Sequence, residues 1–190
     1  MTEERARRKL SGILSADAVG YSRLMQEDEV STIRNLEKSK RLMSELIQQF
    51  NGRVVDSPGD NLLAEFSSVV DATECAVEIQ QKLKIRNDEL PENRRMEFRI
   101  GINLGDVIVE GSQIYGDGIN IAARIEKLAA AGGICVTSNV YDHVKKKLPF
   151  IFEDTGTHML KNITEPVCVY RLLTEKDKAL IDVGRAPDLP

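Results

Sequence analysis

Hydrophobic positions along this chain switch repeatedly between strand-like and helical spacing. Lys9 to Ala16 mixes Leu10, Ile13 and Leu14 with small residues and runs up to Asp17, the pattern of a strand that ends at a carboxylate. From Glu27 to Phe50 the apolar positions Val30, Ile33, Leu36, Leu42, Met43, Leu46, Ile47 and Phe50 follow a helical period, and Asp28 stands where it can cap the first turn. Asn51-Gly52 stops that helix. Val54-Val55 and the run Leu62 to Phe66, separated by Ser57-Pro58-Gly59-Asp60, predict a β-hairpin with Asp60 at its tip. A second helix is predicted from about Val69 to Glu89, with Ala72, Cys75, Ala76, Ile79 and Leu83 on one face.

Strand signals resume at Phe98 to Asn103 and Val107 to Val109, which flank Leu104-Gly105-Asp106 and read as a second hairpin. Tyr115-Gly116-Asp117-Gly118 leads into a helix through Ala131, closed by Gly132-Gly133. Ile134 to Thr137 is strand-like, Ser138 caps a short helix to about Lys147, and Phe150 to Glu153 and Val167 to Leu173 are the last strand candidates. Helices stand between hairpins rather than between every pair of strands. That order predicts an α+β fold with a ferredoxin-like βαββαβ core, its mixed or antiparallel sheet covered by helices. Residues 1–7 read as a charged leader, and Thr174 to Pro190, where periodicity is lost, as a linker toward a further domain of a longer protein.

Composition narrows the function classes. With 190 residues, 42% of them hydrophobic, the chain supports one sizeable core. Its 26 basic and 30 acidic residues give a net charge of -4, without the cationic excess that non-specific nucleic-acid binding needs. Cys75, Cys135 and Cys168 are odd in number and lack Cys-x-x-Cys spacing, which disfavours disulfides and thiolate zinc and fits a reducing, cytoplasmic setting. No run approaches the length of a membrane span or a signal-peptide core.

Two constellations carry candidate chemistry. Asp17 closes the first strand, and Asp60 tips a hairpin that neighbours it if sequential elements pair, so two carboxylates can converge. Hard divalent cations take carboxylate oxygens plus substrate phosphates, and a metal pair stabilises both oxygens of a phosphoryl displacement. Val19-Gly20-Tyr21-Ser22 follows as a strand-to-helix turn able to present N–H groups to phosphates. The alternative is that both aspartates are turn and cap residues. Asn120 and Arg124, four apart, share one helix face: Arg suits charge on a phosphorus centre, and an amide can hold a ribose oxygen. The alternative is a polar face with Arg124 paired to Asp117 or Glu126. His143 and His158 lack partners at ligand spacing and read as structural, and Arg94-Arg95 and Lys145-Lys146-Lys147 read as solvated surface.

Residues 8–173 resemble the class III nucleotidyl cyclase catalytic domain, on the motifs SADAVGYS, SPGDNLLAEF, FRIGINLGDVIVEG and YGDGINIAARIE, with MLKNITEPVCVYRL similar to the closing strand of bacterial members. The resemblance implies a head-to-tail homodimer with shared active sites, one chain giving the metal aspartates and the other Asn120 and Arg124. It implies that Asp17 and Asp60, with the Ala18 carbonyl, bind two Mg²⁺ or Mn²⁺ ions, and that Lys161 approaches the phosphates. The implied reaction turns a nucleoside triphosphate into a 3′,5′-cyclic nucleotide for signalling. Two departures touch the base. Where adenylate cyclases carry the Lys and Asp that read adenine, this chain has Asp56 and Gln113, and the Glu and Cys of guanylate cyclases are not there either. Ser15 replaces a frequent Phe, and Ala18 a common Ile. A degenerate nucleotide-binding or dimerisation module is therefore the competing expectation.

Overall fold

The computed structural model describes residues 6–184, so most of the leader and the last six residues of the expected linker lie outside the described residues. Strand β1 (Arg7–Ala18) is central, because Ser11 to Ala18 are all buried and the strand pairs on both sides. Its two faces differ. Leu14, Ala16 and Ala18 join the main core, whereas Ser11, Ile13, Ser15 and Asp17 point to the opposite face, as period-2 alternation requires. The main core is closed by α1 (Tyr21–Glu27), α2 (Glu29–Gln49) and α3 (Val69–Asp88), which supply Leu24, Leu36, Met43, Ile47, Ala76 and Ile79. What reads as one helix from Glu27 is thus preceded by a separate short one. Asp28 divides them, extended, its carboxylate accepting from the Ser31 N–H as the α2 cap.

The hairpin of β2 (Gly52–Asp56) and β3 (Asn61–Phe66) forms where expected, with β3 against β1. The second expected hairpin does not form at Gly105-Asp106. Instead β4 (Phe98–Glu110) is one continuous strand, because it pairs with β1 over the full register from Arg7 opposite Val109 to Ala18 opposite Phe98. Its turn comes later, through Gly111, into the short β5 (Gln113–Tyr115). Helix α4 (Asp117–Glu126) stops five residues before the expected end at Ala131. Strand β6 (Ile134–Thr137) runs parallel to β4, and α5 (Ser138–Val144), β7 (Phe152–His158) and β8 (Val167–Leu172) complete the layers. The sheet order β2-β3-β1-β4-β6-β8-β7 is mixed, and the expected α+β class with helix-covered sheet holds. Within the expected linker or tail, residues 175–184 form α6 (Glu175–Gly184): Thr174 Oγ1 accepts from the Asp177 N–H while Asp177 accepts from the Thr174 N–H, a reciprocal cap that starts a helix without apolar periodicity.

Helix α4 lies on the face of the sheet opposite the main core and is seated by one glycine. A Cβ on Gly101 of β4 would stand 2.5 Å from the Ala122 carbonyl oxygen and 2.6 Å from the Glu126 nitrogen, both backbone atoms that cannot swing aside. Gly101→Ala is therefore expected to lever α4 off the sheet. The cost is about 3 kcal/mol, a Tm lower by roughly 6 to 12 °C. Thermal unfolding of this variant checks the seating, and a parental Tm would refute it.

Candidate active site

The β1–β3 register sets Asp17 opposite Asn61, so Asp60 lies one residue beyond a paired position, beside the end of β1. Asp17 and the Asp60 turn therefore lie at the same end of the β1–β3 ladder. Asp17 is buried and lies within β1 rather than just past it. Across the other ladder it faces Arg99, whose Nη2 donates to Oδ2 at 2.9 Å and whose Nε donates to Oδ1 at 3.2 Å. Lys127 Nζ stands 3.7 Å from the same Oδ2.

A second carboxylate is buried close by. Glu126 accepts from Ser15 Oγ at 2.9 Å, and its value rises from 4.5 to about 7, first because burial disfavours the charge and then because Asp17 repels it. Arg99, Lys127, Glu126 and Ser15 are the members of this site that sequence reading missed. Arg99 and Lys127 needed the strand register and the end of α4. Glu126 left a signal: it lies four residues after Ala122, on the buried face of the same helix. The alternative pairing of Arg124 with Glu126 or Asp117 is absent among the described residues, since Arg124 makes no ion pair there.

After Ala18, opposite Phe98 at the end of the ladder, the chain turns through Gly20, whose φ of 66° favours glycine. Val19 is corrected: its N–H donates to the Glu97 carbonyl at 2.8 Å and is not offered to a ligand. The Tyr21 side chain packs against the main core, so of Gly20, Tyr21 and Ser22 it is the backbone N–H groups opening α1 that face outward, as at any helix start.

Asn120 and Arg124 occupy another surface. The buried residues of α4 are Gly118, Ala122, Ile125 and Glu126, and a helix turns about 100° per residue, so Asn120 and Arg124, each two residues from Ala122, lie about 160° around the helix from it. They do not join Asp17 and Asp60 within one chain. Lys161 does not either: it is exposed in the loop between β7 and β8, at the far side of the sheet order from the β2–β3 hairpin. Asp56 closes β2, exposed, its Oδ1 accepting from the Ser57 N–H, and Gln113 is exposed in β5. The Arg53 side chain spans these two regions by donating to the Ser112 carbonyl at 3.0 Å. His143 and His158 bond only locally, to Asn139 and Thr155, as structural histidines do. Arg94 and Arg95 are more than solvated surface: Arg94 pairs with Asp28 at 2.7 Å, and Arg95 donates to the Asn87 carbonyl.

A mixed sheet with one aspartate at the end of a central strand and another in the adjoining hairpin turn, and an Asn and Arg facing outward on a neighbouring helix, is the arrangement of a nucleotidyl-cyclase-type domain. Comparison with known proteins agrees. The adenylate and guanylate cyclase catalytic domain family matches residues 5–174, and the chain belongs to that family. Putative adenylate cyclase 3 of Rhizobium meliloti is 44% identical over 94% of this chain, and serine/threonine-protein kinase pkn2 of Myxococcus xanthus is 25% identical over 84%. The chain spans 30% and 19% of those two relatives. Among solved structures, the adenylate/guanylate cyclase/hydrolase from Silicibacter pomeroyi superposes with a TM-score of 0.84 at 38% identity, covering 90% of this chain and all of that one. The adenylyl cyclase CyaB from P. aeruginosa, 20% identical, shares the fold with a TM-score of 0.77 over 90% of this chain and 97% of its own.

The raised Glu126 carboxyl generates a stability prediction. The folded state binds this proton more tightly than the unfolded chain, so stability is highest below the ordinary carboxylate value of 4.5, falls as pH rises toward about 7, and is level above. Glu126→Gln is expected to remove that fall, with Ser15 Oγ still able to donate to the amide oxygen. Tm measured from pH 4.5 to 8 for parent and variant checks it, and parallel curves would refute it.

Proposed function

We propose that this domain converts a nucleoside triphosphate, foremost ATP, into a 3′,5′-cyclic nucleotide and pyrophosphate, in a head-to-tail homodimer whose two active sites are shared. One observation carries the reading. Asp17 lies opposite Asn61, the residue that follows Asp60, while Asn120 and Arg124 face away from the side of α4 that packs on the sheet. A second copy supplies the missing half of each site.

The donor set fits Mg²⁺ or Mn²⁺. Asp17 and Asp60 offer hard oxygen ligands, and among the described residues no group of three or more His, Cys, Asp or Glu gathers as a self-sufficient metal cage. Ions that complete their shells with substrate phosphates, water and the Ala18 carbonyl suit such a pair. Two bound ions supply activation of the ribose 3′-hydroxyl and neutralisation of phosphate charge. Arg99 and Lys127 hold the Asp17 carboxylate in place and add positive charge where the triphosphate lies, and the N–H groups from Gly20 to Ser22 face its oxygens. Arg124 of the other copy stabilises charge developing at the α-phosphorus, Asn120 orients the ribose, and Lys161 serves the phosphates. The 3′-oxygen displaces pyrophosphate in line, forming one P–O bond as another breaks.

A second reading, a nucleotide-binding or dimerisation module without turnover, is favoured by the Asp17 geometry itself, since Arg99 engages both carboxylate oxygens. Asp56 and Gln113 in place of the adenine-reading pair support it too.

Subunit complementation separates the two. Asp17→Asn, Asp60→Asn and Arg124→Ala are each expected to abolish cyclisation while folding survives. Mixing Asp17→Asn with Arg124→Ala in equal amounts is expected to restore about a quarter of parental activity, because half the dimers are mixed and each of those holds one intact site. The check is detection of cyclic product by mass after incubation with each triphosphate and Mn²⁺. No rescue in a mixture proven to exchange subunits would overturn the shared site. No product from any triphosphate with the parent would favour the module.

A further inference from the structure

We propose that Lys40 of α2 is the positioning residue of the β2–β3 hairpin tip, holding the turn that carries Asp60 through the Ser57 and Gly59 carbonyls. The inference rests on the reading of Asp60 as a metal-binding carboxylate. Position 56 carries an aspartate, and a lysine reaches into the hairpin from the helix.

Three observations converge. Lys40 Nζ donates to the Ser57 carbonyl at 2.9 Å and also to the Gly59 carbonyl, gripping the turn on both sides of Pro58. Among the described residues no other side chain from outside the hairpin hydrogen-bonds to residues 56–61. The turn is otherwise exposed at Ser57, Pro58 and Gly59, braced internally by the Asn61 N–H on the Pro58 carbonyl at 2.9 Å. Secondly, Lys40 is half-buried and lies mid-helix, its neighbour Ser39 fully buried, so its stem starts from a fixed platform. Thirdly, the two carboxylates whose charge acts on Lys40 are Asp60 and Asp56: burial lowers its value, and these two anions oppose the fall, Asp60 more strongly.

The consequence is local: releasing the Ser57 and Gly59 carbonyls would free the turn, and with it the place of Asp60.

The test compares Lys40→Met, Lys40→Arg and, as a control on an exposed residue of the same helix, Lys38→Met. Hydrogen exchange over residues 52–66 reads the hairpin without need of activity, and the Mn²⁺ concentration giving half-maximal turnover reads Asp60. Lys40→Met is expected to speed exchange at the tip and raise that Mn²⁺ concentration, each by about 10-fold, the scale of one lost charge-assisted hydrogen bond, with kcat at saturating Mn²⁺ changed far less. Lys40→Arg is expected to restore most of both, and Lys38→Met to match the parent. Unchanged tip exchange in Lys40→Met, or a loosened tip with unaltered Mn²⁺ dependence, would overturn the positioning role. If the parent makes no cyclic product, the reading of Asp60 fails while exchange still judges the grip on the turn.

Discussion

The long antiparallel ladder between β1 and β4 is the constraint on which the rest of the domain depends. It runs from Arg7 opposite Val109 to Ala18 opposite Phe98. Because side chains alternate across a strand, this one register assigns Leu14 and Ala16 of β1, with Phe98, Ile100 and Ile102 of β4, to the main core. The same register sends Ser15 and Asp17, with Arg99 and Gly101, to the opposite face. A slip by one residue would exchange the two sets and bury a charge among the core aliphatics. The ladder thus fixes the partner of Asp17 and the seat of α4 together.

Polar groups on that second face are buried but answered. Ser11 Oγ donates to Glu65, which also holds Lys9 at 2.5 Å and Arg53 at 2.7 Å. Burial alone would push the Glu65 carboxyl up, yet these cations and the hydroxyl bring it below its ordinary value. Glu126 differs, since its one hydroxyl donor does not outweigh burial and the neighbouring Asp17 charge. Two buried carboxylates on one face are therefore poised oppositely, one held ionised by a ring of cations and the other inclined to keep its proton. No buried side-chain nitrogen or oxygen is left without a partner among the described residues, so this seam is compatible with a stable fold.

The hairpin tip gathers acidic side chains and a lysine from a neighbouring helix on one turn. Asp60 lies one residue beyond the β1–β3 pairing, and position 56 carries an aspartate. Asp56 accepts from the Ser57 N–H, while Lys40 holds the Ser57 and Gly59 carbonyls of the same turn.

Much of this was legible from the chain alone. The helical period of α2 and α3, the Pro-Gly turn before Asp60, and the fourfold spacing of Asn120 and Arg124 are local properties, encoded by neighbours within a few residues. Non-local pairing was not legible. Gly105-Asp106 carries a turn signature and is nonetheless extended, because twelve paired positions on β1 outweigh a local preference. Thr174 to Asp177 lacks apolar period and still opens a helix through its own side chains. Arg99 and Lys127 could not be assigned to Asp17 without the register, nor Lys40 to the hairpin without the packing of α2 beside it. Sequence determined which residues have the chemistry; tertiary structure decided which of them meet, because a contact across the sheet depends on registers and seats that no short stretch of chain contains.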